Sequence, residues 1–442
     1  MSWTAPRTWA TKDSMTQDIL NTHIRDNLSS LKSEHYATQT MRGVHLRSHP
    51  DSLSATSKVM LLKADELVMS DGTRLSVTTP LTADITASGA NGLDTGTEQA
   101  STWYEIHAIA KDDGTKALML HRSKDWTIDQ SQTTHDTNAP LRFSSTVAKL
   151  AQGFKLSQAG TVPWIDMRLM VVGAPTGSIW LTIEADASGS PSGTPLATSD
   201  KLDVSKFSTA GYVVRFMFRT PVSLSATPTQ YHVVIQGDFA ISATNYVNVR
   251  YNSAGGYANG AYSIYNGSTW SSGATDLYFR VALERNNTAL TFPTGYTKSC
   301  KVGYVYNNGS SNFQPFAALN QSVHALHSNA YAIVASASTP SLTDITTLVP
   351  PVPVFVDVAI GLETATRVGV APVPDGYALL DTSVVDTTYG ALIYYQYTAP
   401  PTAPDVAYPH AVMGRLHTEA QAVYVNVGTN ARLFFRSWEW IF

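Results

Sequence analysis

One cysteine, Cys300, stands among 442 residues, so the chain holds no internal disulfide and no cysteine-built zinc site. Charge is scarce as well. Asp, Glu, Lys and Arg make up 14% of the residues, against about 25% in an average globular chain. The formal net charge is -4 and no basic stripe is concentrated anywhere, which argues against a nucleic-acid partner. No apolar run approaches the roughly 20 residues that cross a bilayer, so no membrane insertion is expected. The first residues, Met1-Ser2-Trp3-Thr4-Ala5-Pro6-Arg7, lack the basic-then-apolar pattern of a secretory leader. The chain is therefore expected to be made soluble in a cytoplasm and to hold together by packing or by association with other chains.

What replaces charge is Thr, Ser, Asn, Gly and Tyr, a β-rich composition, and hydrophobic residues still reach 43%, ample for packed cores. At about 150 residues per domain the length suggests about three domains. The organising stretch is Trp103-Tyr104-Glu105-Ile106-His107-Ala108-Ile109-Ala110, then Lys111-Asp112-Asp113-Gly114, then Ala117-Leu118-Met119-Leu120-His121-Arg122. Apolar and polar residues roughly alternate on both sides of an Asp-Gly pair, which reads as two antiparallel strands and a tight turn. A lone hairpin is marginal in water and needs further strands beside it. Segments of the same character arrive only at Leu290–Tyr296 and Lys301–Gly309, ending in a second hairpin signal, Asn308-Gly309. The reading is one β-module cut in two, residues 101–144 and 286–338, with an independent domain between the halves.

Ahead of that module, residues 1–45 read as an attachment segment. Ser14 and Gln17 fit a capping box, and the helix that follows carries Leu20, Ile24, Leu28 and Leu31 on one face, with Trp9 just before it. Four turns with one apolar stripe need a partner surface, on this chain or on sister copies. Residues 46–100 read as a connector, with Val59–Lys63, Glu66–Met69 and Asp71-Gly72 suggesting a short hairpin and Gly89, Gly92 and Gly96 marking turns. Residues 145–285 carry the strongest strand signals: 164–171, 178–185, 212–218, 230–236, 246–251 and 276–281, with Gly189–Gly193 among the separating turns. Short alternating strands with turn-rich links predict an antiparallel sandwich of jelly-roll type. Residues 339–442 read as a C-terminal β-domain entered through the stiff Val349–Val354 stretch. The fold class is thus mainly β, and the end of the chain, Trp438-Glu439-Trp440-Ile441-Phe442, has to be buried.

Reactive constellations are few. His324 and His327 stand at a helical ligand spacing, but no carboxylate completes a metal set. Asp112 and Asp113 are adjacent, so on a strand they would face opposite sides, and Asp-Asp-Gly suits a turn. Glu184 and Asp186 could share a strand face, yet Asp186 already belongs to a turn. No serine elbow, phosphate loop or dinucleotide fingerprint occurs in a fitting context. No catalytic residue, metal or cofactor is expected. The binding candidates are Tyr251, Tyr257, Tyr262, Tyr265, Asn266 and Trp270, because flat aromatic faces beside amide and hydroxyl groups suit sugar rings.

Two sets of residues carry a resemblance. Trp9-Ala10-Thr11 with Leu20–Leu28, and Trp103–Ile106 with Phe292–Tyr296 and Val302-Gly303, resemble tail and fibre proteins of tailed bacteriophages. Ala151–Phe154, Gly189–Gly193 with Leu196–Thr198, and Gly267–Trp270 with Asp276-Leu277 are similar to jelly-roll modules of phage and bacterial surface proteins. The resemblance implies a virion protein made in a host cytoplasm: a non-enzymatic tail-fibre or receptor-binding protein that meets a host-surface glycan. It also implies a homotrimer attached to other tail or virion proteins. The alternatives are a purely structural head, collar, neck or tail component and a polysaccharide-degrading spike.

Overall fold

The computed structural model describes residues 41–49, 58–286, 288–320, 322–325, 331–334, 337–362, 367–371, 393–396, 411–418, 422–427 and 431–440. The expected helix, with Trp9, Leu20, Ile24, Leu28 and Leu31, lies outside the described residues, as does His327. Among the described residues the protein is built of antiparallel β-sheets, with no α-helix.

Strand Thr102–Lys111 sits at the centre of a three-stranded sheet, between Lys116–Arg122 and Tyr296–Asn307. The Asp113-Gly114 turn forms as its chemistry demands: Gly114 has φ +85° and Asp113 accepts the Thr115 N–H at 2.8 Å. On the far side, Tyr104 pairs with Val305 and Ala108 with Cys300. Two antiparallel strands distant in sequence thus lie side by side. Cys300 is buried, and burial pushes its thiol up to about 11. The Asn308-Gly309 signal gives a turn that closes on a single antiparallel bridge, Asn307 to Phe313, and not a longer hairpin. Asn308 Oδ1 accepts the Ser310 and Asn312 N–H groups, the left-handed residue is Ser311 at φ +58°, and strand Phe316–Leu319 goes to His45–His49 instead.

Between these halves stands a sandwich of two seven-stranded sheets. The first runs in the order Ser190–Thr198, Ser178–Ala187, Tyr231–Gly237, Lys149–Phe154, Tyr262–Tyr265, Trp270–Ser272. The second is centred on Gly160–Val172, flanked by Tyr212–Leu224 on one side and by Phe279–Arg285 and Tyr246–Asn252 on the other. Their facing sides alternate as half-buried strands must, so Leu181, Ile183, Val233 and Phe154 meet Ile165, Met167, Phe216 and Phe279. Gln152, fully buried, ties the sheets: it donates to Asp276 Oδ1 at 3.1 Å and accepts the Leu277 N–H at 2.7 Å.

Three expectations need correction. Strands Asp125–Gln132 and Thr137–Leu141 pair with Phe279–Arg285 and Tyr246–Asn252, so this stretch belongs to the sandwich and not to the split module. Val59–Lys63 and Glu66–Met69 are not two strands. Lys58–Val68 is one strand with a register irregularity between Ala64 and Leu67, and its hairpin partner, across Asp71-Gly72, is Arg74–Val77. Finally, Gly189–Gly193, read as a turn, is mostly strand: Ser190–Thr198 pairs with Ser178–Ala187, because Ser188 at φ +56° and Gly189 at φ +86° already make the reversal.

The other core unites regions that the sequence reading kept apart. Val44, Leu61, Ile106, Leu118, Val302, Val354 and Trp438 share one apolar cluster, so the connector, the split module and the C-terminal strands pack as one body. Trp103 is its hub. Its ring meets Trp438 edge-on at 5.9 Å and Tyr306 at 5.2 Å, and its N–H donates to the Thr346 carbonyl at 2.6 Å.

Where the sandwich returns to the module, His121 Nδ1 lies 2.7 Å from Asp94, its Nε2 faces the Thr288 carbonyl at 3.1 Å, and Asp94 also accepts the Thr291 N–H. Burial opposes both charges, but the contact prevails: the Asp94 carboxyl is held below its ordinary value and the His121 imidazole above its own. A raised imidazole contributes stability that is complete below about pH 6.5 and is lost as pH rises through the folded value. His107, held low by burial beside Glu105, contributes the opposite slope. The difference between wild type and Asp94→Asn isolates His121: between about pH 6 and pH 8 the melting temperature of wild type is expected to fall more than that of the variant. Scanning calorimetry across that range checks it. Gln152→Leu is expected to cost about 1–3 kcal/mol by orphaning the Leu277 N–H, read from a urea midpoint.

Candidate functional site

Tyr-Asn-Gly-Ser-Thr-Trp, residues 265–270, folds into a tight hairpin for a local reason. Asn266 Oδ1 accepts the N–H groups of Ser268 at 2.9 Å and Thr269 at 2.8 Å, while Gly267 takes φ +94°. That closure sets Tyr265 directly across from Trp270, ring centroids 5.1 Å apart at 44°. On the other side Tyr265 pairs with Lys149, whose Nζ lies 5.8 Å from the tyrosine ring centroid. Alternation sends Ile264 and Tyr262 inward and leaves Ser263 and Tyr265 on the outer face, where the Ser263 and Ser272 hydroxyls are 2.8 Å apart. The result is a strip, Lys149–Tyr265–Trp270, at the edge of the first sheet with both rings half-buried.

The remaining candidates do other work. Tyr262 is 8% exposed and stacks on Tyr251 at 5.6 Å and 28°, and burial pushes its hydroxyl up. Tyr257 lies edge-on to Phe279 at 5.0 Å and donates its hydroxyl to Gln130 at 2.6 Å, with burial raising its pKa to about 12. All three pack against the sandwich core. Asn266 has given its oxygen to the turn. Of the six candidates, the structure therefore leaves Tyr265 and Trp270 together at the surface, beside a lysine that the sequence reading passed over. Its signal lay in strand alternation: Lys149 and Ala151 fall on the face opposite to Leu150.

Farther along the same outer face, Glu184 and Asp186 do share a side, as alternation requires. Neither is poised for acid–base work. Glu184, 2% exposed, accepts the Gly193 N–H at 2.6 Å and the Thr182 hydroxyl at 3.1 Å. Asp186 accepts the Gly189 N–H at 3.1 Å and meets His232 Nε2 at 2.8 Å. Burial works against the Asp186 carboxylate, but the His232 and Gly189 contacts hold its pKa below the ordinary value. These groups fasten the Ser188-Gly189 reversal. Among the described residues no cluster of His, Cys, Asp and Glu has the makings of a metal site.

Searches against known proteins give no family model that matches this chain and no curated protein similar to it in sequence. The division of labour among the rings has a direct test. Tyr262→Ala is expected to destabilise by about 3–5 kcal/mol, as a large core deletion does, and Trp270→Ala by about 1 kcal/mol or less, as partly exposed positions do. Urea denaturation of the two variants compares them.

Proposed function

We propose that this chain is a virion attachment protein of the phage tail-fibre type. Its sandwich holds a neutral or weakly anionic host-surface glycan at the Lys149–Tyr265–Trp270 strip and does not cleave it. One observation supports the reading most. Tyr251, Tyr257 and Tyr262 turn into the core, while Tyr265 and Trp270 are held side by side at a sheet edge with accessible ring surface. A sugar presents an apolar C–H face ringed by hydroxyls, and a rigid indole–phenol pair covers such a face at low entropic cost. Lys149 and the exposed Ser272 hydroxyl stand within the same patch to meet hydroxyl or carboxylate oxygens.

A single open strip of this size binds weakly. A homotrimer would present three copies, and linking sites in this way raises avidity by about 10²–10⁴ without any new contact. In this reading the 1–45 segment fixes the assembly to other tail or virion proteins.

Glycan-array binding of the full chain, paired with adsorption of particles to host cells, tests the proposal. Tyr265→Ala and Trp270→Ala are each expected to lower glycan affinity by about tenfold, the effect of about 1.4 kcal/mol of ring contact. Unchanged adsorption in the folded double variant would turn the reading toward a purely structural virion component. New reducing ends after incubation with host capsule would establish a degrading enzyme instead.

A further inference from the structure

The outer face of the second sandwich sheet carries two arginines that the fold sets together. Leu169 and Val249 pair and point into the core, so the next cross-strand position, Arg168 beside Arg250, opens outward. Strand Gly160–Val172 changes partner at this point. Met167 pairs with Phe279, both in the core, which turns Tyr278 outward next to Arg168. The Tyr278 N–H donates to the Arg250 carbonyl at 2.8 Å and closes the fork between the two partner strands. Gly211 lies against both arginines: a Cβ there would sit 3.8 Å from Arg168 Nε and 3.9 Å from Arg250 Cδ. The missing side chain leaves a notch between the two stems. His135 stands at its rim, edge-on to the Tyr278 ring at 5.6 Å.

Neither guanidinium meets a carboxylate among the described residues. Arg168 Nη2 donates to the Gly211 carbonyl at 2.7 Å and Arg250 Nη1 to the Asn138 side-chain oxygen at 2.6 Å, both neutral acceptors. Farther along this face the charges are matched, since buried Asp166 takes both Arg215 and Arg280. Asp136, next to His135, is held by the Ser253 N–H and hydroxyl. In a chain with 14% charged residues, two like charges side by side at half-buried positions are an unrelieved repulsion. Burial, and then the charge of Arg250, disfavour the charged form of Arg168. Burial and these same two arginines hold the His135 imidazole below its ordinary value. Donors remain in reach of solvent without a protein partner among the described residues: Arg168 Nη1, Arg250 Nε and Nη2, and the Tyr278 hydroxyl. A positive excess with open donors around one notch calls for an anion that brings oxygens.

We propose that this notch binds an oxyanion, the carboxylate or phosphate group of an acidic glycan. Its oxygens accept from Arg168 Nη1, from Arg250 Nε and Nη2, and from the Tyr278 hydroxyl. Guanidinium forks fit the paired oxygens of either group. The glycan as bearer rests on the attachment reading above; the oxyanion site does not. It stands apart from the Lys149–Tyr265–Trp270 strip, since the two lie on different sheets of the sandwich.

Isothermal titration calorimetry of the full chain at low ionic strength, with glucuronate, glycerol phosphate and glucose in turn, tests the proposal. At least one of the two anions is expected to bind at a single site per chain, and the tighter one names the group. Arg168→Gln and Arg250→Gln should each weaken that binding by about tenfold, the worth of one charge-assisted hydrogen bond. Lys149→Gln and Trp270→Ala should leave it unchanged, so failure of the strip and failure of this site are read separately. The proposal is overturned if neither anion binds, if glucose binds the arginine site as tightly as the anions, or if the double arginine variant binds them as wild type does. It is also overturned if that double variant changes oligomeric state while anion binding stays the same, because the arginines then face a sister copy. Should an arginine variant not fold, the wild-type contrast between anions and glucose, repeated in Lys149→Gln, decides.

Discussion

Everything in this fold depends on strand Tyr296–Asn307 finding strand Thr102–Lys111 across the whole length of the sandwich. Bringing distant segments together costs loop entropy, which grows only slowly with length but has to be met before the pairing stabilises anything. The sandwich lowers that cost by its own topology. Its first strand and its last pair with each other, with Asp125 opposite Arg285, so the chain leaves and re-enters the module at neighbouring points. Once the sandwich has folded, its ends are delivered side by side, and the closing strand has little distance left to search. The Asp94–His121–Thr288 contact fastens that junction.

The same logic explains what could be read from residues alone. Long alternating runs such as Ser178–Ala187 and Tyr246–Asn252 announce themselves, because a half-buried strand cannot avoid its two-residue period. So does Asp113-Gly114, whose turn needs nothing beyond local chemistry. Partner choice was harder. Asp125–Gln132 carries a polar, weakly alternating sequence, and its membership of the sandwich comes from pairing with a strand far along the chain. The common core of Val44, Ile106 and Trp438 is likewise a matter of long-range contact, which a linear reading divides at composition changes.

Among the candidate site residues, type was visible and depth was not. Six neighbouring aromatic and amide positions look alike in sequence, yet pleat direction turns Tyr262 into the core and Tyr265 outward three residues later. A hairpin closed by Asn266 then sets Trp270 beside Tyr265. Arg168 and Arg250 gave no local sign of a shared notch, because strands distant in sequence bring them side by side.

The lone cysteine has a consequence for assembly. A chain with one sulfhydryl that works in oxidising surroundings is at risk of cross-linking to its own copies through it. Here Cys300 lies beneath the three-stranded sheet, and its thiol stays protonated far above neutral pH. Oxidants therefore meet no nucleophilic sulfur while the sheet is closed, and two copies brought together would not be cross-linked through it.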